Sequence, residues 1–178
     1  MYGVVSESEL VLGYDSLVAM QVAVIGGGSW GTTVAHLVSQ NVDTQLWCRD
    51  IEVAESITQE CRNHRYLPNY ELTSDLTASV HLEQVLSKAD IALIAIPSQS
   101  FREVLCDMKP YLGPNVPVIS LAKGLEQNSR CTMTQIINEE LPNNSTGVLT
   151  GPNLAEEVLQ GFATASVFAM DSEQGTRE

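Results

Sequence analysis

Residues 21–31, QVAVIGGGSWG, constrain the fold of this chain more than any other stretch. Four apolar residues, 22–25, run directly into glycines at 26, 28 and 31. An apolar strand entering a G-x-G-x-x-G turn that opens a helix is the local arrangement that cradles a dinucleotide. Gly26 permits the tight turn out of the strand. Gly28 has no Cβ, so a pyrophosphate can come close to the backbone, and Gly31 lets the helix pack against the strand. The helix start, with Ser29 and Trp30, adds free N–H groups and the positive end of the helix dipole. A glycine turn can also be purely structural. The apolar strand before it and the apolar-faced helix after it favour the nucleotide reading.

Strand and helix signals alternate along the rest of the chain. Strands are expected at 22–25, 44–48, 77–80, 91–96, 116–121, 148–150 and 163–169. Helices are expected at 30–40, 51–61, 82–87, 101–108, 132–141 and 154–160, the first with Val34, Leu37 and Val38 on its apolar face. The continuous apolar run at 91–96 reads as a buried central strand. Alternation of this kind predicts an α/β fold: a Rossmann-type, doubly wound, mostly parallel sheet with helices on both faces. A length of 178 residues suffices for one domain with a full core, expected over 21–170. Residues 1–20 contain no basic cluster and read as a disordered leader, with Met20 as the start of the functional unit.

A formal net charge of -13 argues against nucleic acid or anionic membrane as a partner, since both reward clustered Lys and Arg. No apolar run approaches the ~20 residues of a membrane span, so no stable insertion is expected. Cys48, Cys61, Cys106 and Cys131 are scattered, with no C-x-x-C pair. They read as free thiols in a reducing compartment, hence a cytoplasmic protein without a metal site.

Ligands of open α/β sheets lie off the carboxyl ends of the strands, so the residues there are the candidates. Arg49 and Asp50 follow the second strand at the position of the coenzyme selector: an acid suits the ribose 2′-hydroxyl of NAD, and an arginine accommodates the 2′-phosphate of NADP. Asp50 reads equally as the N-cap of the next helix. Lys123, one of three lysines, follows the fifth strand, with Gly124 leaving room beside it. Gly151, Pro152 and Asn153 follow another strand; Asn153 is read either as a helix cap or as part of an anion site at that helix start. His36, His64 and His81 read as structural or solvated.

Several motifs in this order resemble the NAD(P)-dependent glycerol-3-phosphate dehydrogenase family. They are GGGSWGTTVA at 26–35, LWCRD at 46–50, NHRYLPN at 63–69, IPSQSFREVL at 96–105, KGLE at 123–126 and GPNLAEEV at 151–158. The resemblance implies reversible hydride transfer between NAD(P)H and dihydroxyacetone phosphate, giving sn-glycerol 3-phosphate for glycerophospholipid metabolism. It implies NAD or NADP contacts at Gly26, Gly28, Ser29, Trp30, Gly31, Arg49, Lys123 and Ala155. It implies contacts to the small phosphorylated substrate at Lys123, Gly151 and Asn153. It also implies a homodimer among full-length members. Asn153 stands where Ser or Thr is usual in bacterial relatives, and Tyr66 lies in a family-like loop, where it reads equally as a packing residue. The family carries a second, helical domain with its general acid/base lysine. Residues 171–178 then read as the start of a linker to that domain. The expectation is that the chain alone holds no catalytic residue and is inactive, or is a non-catalytic NAD(P)-binding module left by truncation.

Overall fold

In the computed structural model, which describes residues 20–171, the apolar run before the glycines forms β1 (Gln21–Ile25) inside a seven-stranded sheet. The expectations for the leader and for most of the 171–178 linker lie outside the described residues. The other strands are β2 (Asp43–Trp47), β3 (Thr77–Ser79), β4 (Ile91–Ile94), β5 (Val118–Ser120), β6 (Thr146–Thr150) and β7 (Val167–Met170). Their order is β3-β2-β1-β4-β5-β6-β7. All neighbours are parallel except β6 and β7, which are antiparallel. The strand order reverses between β1 and β4, and that reversal opens a crevice at the carboxyl ends of these two strands.

Helices α1 (Ser29–Ser39), α2 (Ile51–Glu60), α3 (Leu82–Leu86), α4 (Phe101–Met108), α5 (Met133–Glu140) and α6 (Ala155–Leu159) connect the strands. Side chains of a strand alternate between faces, and β1 divides its residues between two cores accordingly. Ala23 and Ile25 join Val85, Leu86, Phe101, Leu105, Met108 and Ile136 under α3, α4 and α5. Val22 and Val24 join Val34, Ala35, Leu46, Val53 and Ile57 under α1 and α2. Burial on both faces explains why β1 and β4 are uninterrupted apolar runs rather than alternating ones. Among the described residues no helix is long and apolar enough to cross a membrane.

Most departures from the sequence expectation lie at element ends. The fifth strand begins at Val118 rather than 116, because Pro117 has no N–H for the ladder and Asn115 takes a left-handed backbone, φ 66°. The fourth ends at Ile94, although Ala95 N still donates to the Ile25 carbonyl at 2.8 Å. The last strand is only Val167–Met170, and all four of its residues are exposed. Leu37, assigned to the apolar face of α1, is exposed as well. The buried face of α1 is instead Gly31, Thr32, Thr33, Val34, Ala35 and Ser39. Small residues let this helix lie close to the sheet, and Thr33 satisfies its hydroxyl by donating to the Ser29 carbonyl at 2.9 Å.

The loop after β5 is fastened by charge. Arg102 on α4 donates from Nε to Glu126 Oε1 at 2.9 Å and from Nη2 to Glu126 Oε2 at 3.0 Å. It also pairs with Glu139 and Glu140 of α5, and Lys109 pairs with Glu140. Hydrogen bonds from Lys109 and then Arg102 hold the Glu140 carboxyl down to about 2, from an ordinary 4.5. A carboxylate depressed in the folded state contributes stability that is fully present above its unfolded value and fades as pH falls through the folded one. For Glu140 that window runs from about pH 4.5 down to about pH 2. Urea midpoints measured across this range should fall less steeply for Glu140→Gln than for the wild type. Parallel curves would show that the Glu140 pairs contribute nothing to acid sensitivity.

Candidate coenzyme site

At the crevice between β1 and β4 lies a cleft of about 760 Å³. Its floor is Gly26, Gly27 and Gly28, its walls include Cys48, Arg49, Asp50, Ala95, Pro97 and Ser100, and its rim carries Arg65 and Tyr66. The glycines are required here for different reasons. Gly26 has φ +122°, and a Cβ there would stand 2.4 Å from the Ala95 carbonyl oxygen. A Cβ on Gly31 would stand 1.9 Å from the Gly26 carbonyl oxygen. At Gly28 an added Cβ would meet no atom of the other described residues within 4 Å. The first two are excluded by the protein itself; Gly28 is surrounded by open space at the start of α1.

The structure brings Gly26, Gly28 and Arg49 to the cleft. Ser29 and Gly31 stand in the first turn of α1, and Trp30 is partly buried against the core beneath that helix. Asp50 is the N-cap of α2: its Oδ1 accepts from Glu52 N at 3.0 Å. Among the described residues Arg49 enters no ion pair. Cys48 is buried beneath Gly27, and burial, with Asp50 adding to it, pushes its thiol up to about 12. It is therefore an inert neutral thiol. A broader groove of about 800 Å³ shares Trp47 with the cleft, but its lining holds Glu83 and Asp107 and no lysine or arginine. The glycine cleft is the better match to an anionic ligand.

A second group of candidates gathers at the carboxyl ends of β5 and β6. Lys123 Nζ donates to the Gly151 carbonyl at 2.8 Å. Asn153 does not cap the following helix, whose N-cap is Leu154. Its Nδ2 donates instead to Ser166 Oγ and its Oδ1 accepts from Thr164 Oγ1, both at 2.9 Å, tying residues 151–153 to the approach of β7. Helix α6 is one short turn with Glu156 and Glu157 in its opening residues, which opposes an anion there. Ala155 begins that helix, which packs on α1. The two groups are joined by Gln99, which donates to the Leu125 carbonyl at 2.9 Å and accepts from Gln127 N at 3.0 Å.

No histidine lines the cleft. His36 is a structural acceptor: its Nδ1 takes a hydrogen bond from Thr73 N at 3.0 Å, and burial lowers its pKa. His64 pairs with Glu60 at 2.8 Å in solvent, and His81 is the N-cap of α3.

Sequence reasoning missed Asn63 and Arg65. Asn63 is completely buried, and its Nδ2 donates to the Gly27 carbonyl at 3.0 Å and to Thr32 Oγ1 at 2.9 Å. It latches the 63–67 loop to the glycine turn. The only signal was the asparagine heading the NHRYLPN stretch, which gives no hint of burial.

Residues 21–176 match the family model described as the N-terminus of NAD-dependent glycerol-3-phosphate dehydrogenase. The chain belongs to this family. It is 48% identical over 154 residues to a glycerol-3-phosphate dehydrogenase [NAD(P)+] of Sphingopyxis alaskensis, covering 86% of this chain and 46% of that protein. It is 47% identical over 160 residues to one from Acinetobacter baumannii, covering 89% of this chain and 44% of that protein. The crystal structure of glycerol-3-phosphate dehydrogenase from Coxiella burnetii superposes with a TM-score of 0.80 at 33% identity, covering 87% of this chain and 48% of that one. The chain thus spans about half the length of the glycerol-3-phosphate dehydrogenases it matches.

The glycine geometry separates fold from site. Gly28 has φ -73° and ψ 178°, which alanine adopts, so Gly28→Ala should cost less than about 1 kcal/mol as an N-cap change. Gly31→Ala forces overpacking and should cost about 1–3 kcal/mol or more. Calorimetric melting of both variants checks this; equal losses would contradict the packing argument.

Proposed function

We propose that residues 21–170 are the coenzyme-binding half of an oxidoreductase that transfers a hydride between NAD(P)H and dihydroxyacetone phosphate, giving sn-glycerol 3-phosphate. The observation that carries this reading is Gly28: on the floor of the β1–β4 cleft, it is the glycine where an added side chain would meet no atom of the described residues, so it leaves room for a ligand. A pyrophosphate fits there against the first N–H groups of α1. Arg49, exposed at the end of β2, suits the adenosine end of either NAD or NADP. The bound nicotinamide supplies the hydride. Ser29, Trp30, Gly31 and Ala155 border the coenzyme in this reading. Lys123, held on the Gly151 carbonyl, stands toward the anionic substrate with Gly151 and Asn153.

Family membership supports the substrate assignment and, with it, a role in glycerophospholipid metabolism, and the free thiols of all four cysteines support a cytoplasmic location. The relatives' names support both coenzymes. A homodimer belongs to the same reading, and no nucleic-acid partner does, given the net charge of -13. A second reading, a non-catalytic NAD(P)-binding module, is favoured by a cleft lining that holds neither histidine nor lysine.

Calorimetric titration of the 178-residue polypeptide with NADH and NADPH tests the site. Both should bind, and Gly28→Val should abolish the heat while the protein stays folded. Unchanged binding in that variant overturns the assignment. Turnover is tested apart from binding. Reduction requires a proton donor aimed at the new alkoxide and two substrates held in contact, and orientation alone is worth about 7–11 kcal/mol. The cleft lining offers neither a histidine nor a lysine for the proton, and Lys123 is committed to the Gly151 carbonyl. This polypeptide should therefore bind NADH without oxidising it when dihydroxyacetone phosphate is added. Substrate-dependent loss of NADH absorbance would show that a catalytic group is present among these residues.

A further inference from the structure

Asp50 stands where open α/β sheets place the residue that meets the adenosine ribose of a bound dinucleotide. An acid at that position accepts from a free 2′-hydroxyl and repels a 2′-phosphate. Here both oxygens of Asp50 are already engaged. Oδ1 caps α2 through Glu52 N at 3.0 Å, and Oδ2 accepts from Arg65 Nη1 at 2.8 Å. Arg65 comes from a loop 15 residues further along the chain. That loop is held in place independently of the pair. Asn63, fully buried, grips the Gly27 carbonyl and Thr32, and its Oδ1 accepts from Tyr66 N at 3.1 Å. The Arg65 guanidinium also lies 5.3 Å from the centre of the Tyr66 ring. Arg49, Asp50 and Arg65 all line the cleft.

We propose that Arg65 determines coenzyme specificity by acting through Asp50: it cancels the carboxylate charge at the cleft and so admits NADP(H) alongside NAD(H). This rests on the reading of the cleft as the coenzyme site. Arg65 is a positioning residue in this role. It holds Asp50 turned to the α2 cap and neutralised, so that a 2′-phosphate meets Arg49, which enters no ion pair among the described residues. Without Arg65 the same phosphate meets a bare carboxylate beside Arg49, whereas the uncharged ribose hydroxyl of NAD(H) is indifferent to it or gains an acceptor. The Arg65 and Asp50 side chains are 60% and 39% exposed, so the pair contributes little to stability. Its removal therefore changes the charge at the cleft without changing the fold.

The test is titration of NADH and NADPH into the 178-residue chain and into Arg65→Ala, Arg65→Lys, Asp50→Asn and the Arg65→Ala/Asp50→Asn double variant, with melting temperatures in parallel. Arg65→Ala should raise the NADPH Kd roughly tenfold through a partly screened like-charge contact. It should raise the NADH Kd less than about threefold, and the difference should shrink in high salt. Asp50→Asn in the Arg65→Ala background should bring NADPH back to within about threefold of the wild type, as should Arg65→Lys alone, since both restore the charge balance. Melting temperatures should stay close to the wild type for every variant. Equal weakening of both coenzymes by Arg65→Ala, with no rescue by Asp50→Asn, overturns the proposal, because Arg65 then grips a part common to both. No change in either coenzyme overturns it too. Failure of the unaltered chain to bind either coenzyme overturns the cleft assignment and this inference with it, and it is the only outcome that reaches the assignment.

Discussion

The contact between Gly26 and Gly31 sets the geometry of everything at the carboxyl edge of the sheet. A side chain at 31 would begin 1.9 Å from the Gly26 carbonyl oxygen, so α1 starts closer to the end of β1 than any other residue would allow. That closeness points the first turn of α1 at the reversal between β1 and β4. It places the unpaired N–H groups of the helix start over the cleft rather than beside it. The small buried residues that follow, Thr32, Thr33 and Ala35, keep the helix at the same distance along its length. Thr32 then becomes one anchor for Asn63, so the tight turn also fixes a loop distant in sequence.

The same edge is assembled from loops that are each fastened by a different device. The loop after β2 is an N-cap, the 63–67 loop hangs from a buried asparagine, and the loop after β5 is clamped by Arg102 and Gln99. None of these devices relies on apolar burial, which is already spent on the two cores of the sheet. Polar fastening suits segments that must stay at the surface and still hold position, since each backbone group there needs a partner. The Arg102 cluster shows the cost of doing this with charge: its carboxylates support the loop only while ionised.

How much of this was legible in the sequence depends on the range of the interaction. The strand–turn–helix around Gly28 is local, and the alternating elements follow from hydrophobic pattern, so the doubly wound sheet could be read directly. Arg49 and Lys123 could be placed at the carboxyl edge of the sheet because each closely follows a strand. Leu37 was misjudged because helix periodicity locates a face without saying how wide it is, and here threonines took the inner positions. Asn153 carried a capping residue type, yet its side chain found Ser166 and Thr164, which only the antiparallel return of β7 brings near. Asn63 and Arg65 were beyond reach for the same reason. Their partners, the Gly27 carbonyl, Thr32 and Asp50, lie well upstream in sequence, and a polar loop residue carries no mark of being buried.

The distribution of charge connects these pieces to function. The chain has 9 Lys and Arg against 22 Asp and Glu, so a dinucleotide approaches a surface of its own sign. Recognition then depends on where the few cations stand. Arg102 and Lys109 are occupied by glutamates away from the cleft. Arg49 and Arg65 line the cleft, and Lys123 bonds to a neutral carbonyl at the adjoining strand ends. Of these three, only Arg65 is paired with an acid among the described residues, and that acid is Asp50, just past the end of β2. Cations set in a concave site focus a field that the bulk charge does not cancel, because solvent screens the distant carboxylates over about 8–10 Å. An acidic protein can thus select an anionic ligand, and the selection is concentrated on the few side chains at the ends of β2 and β5.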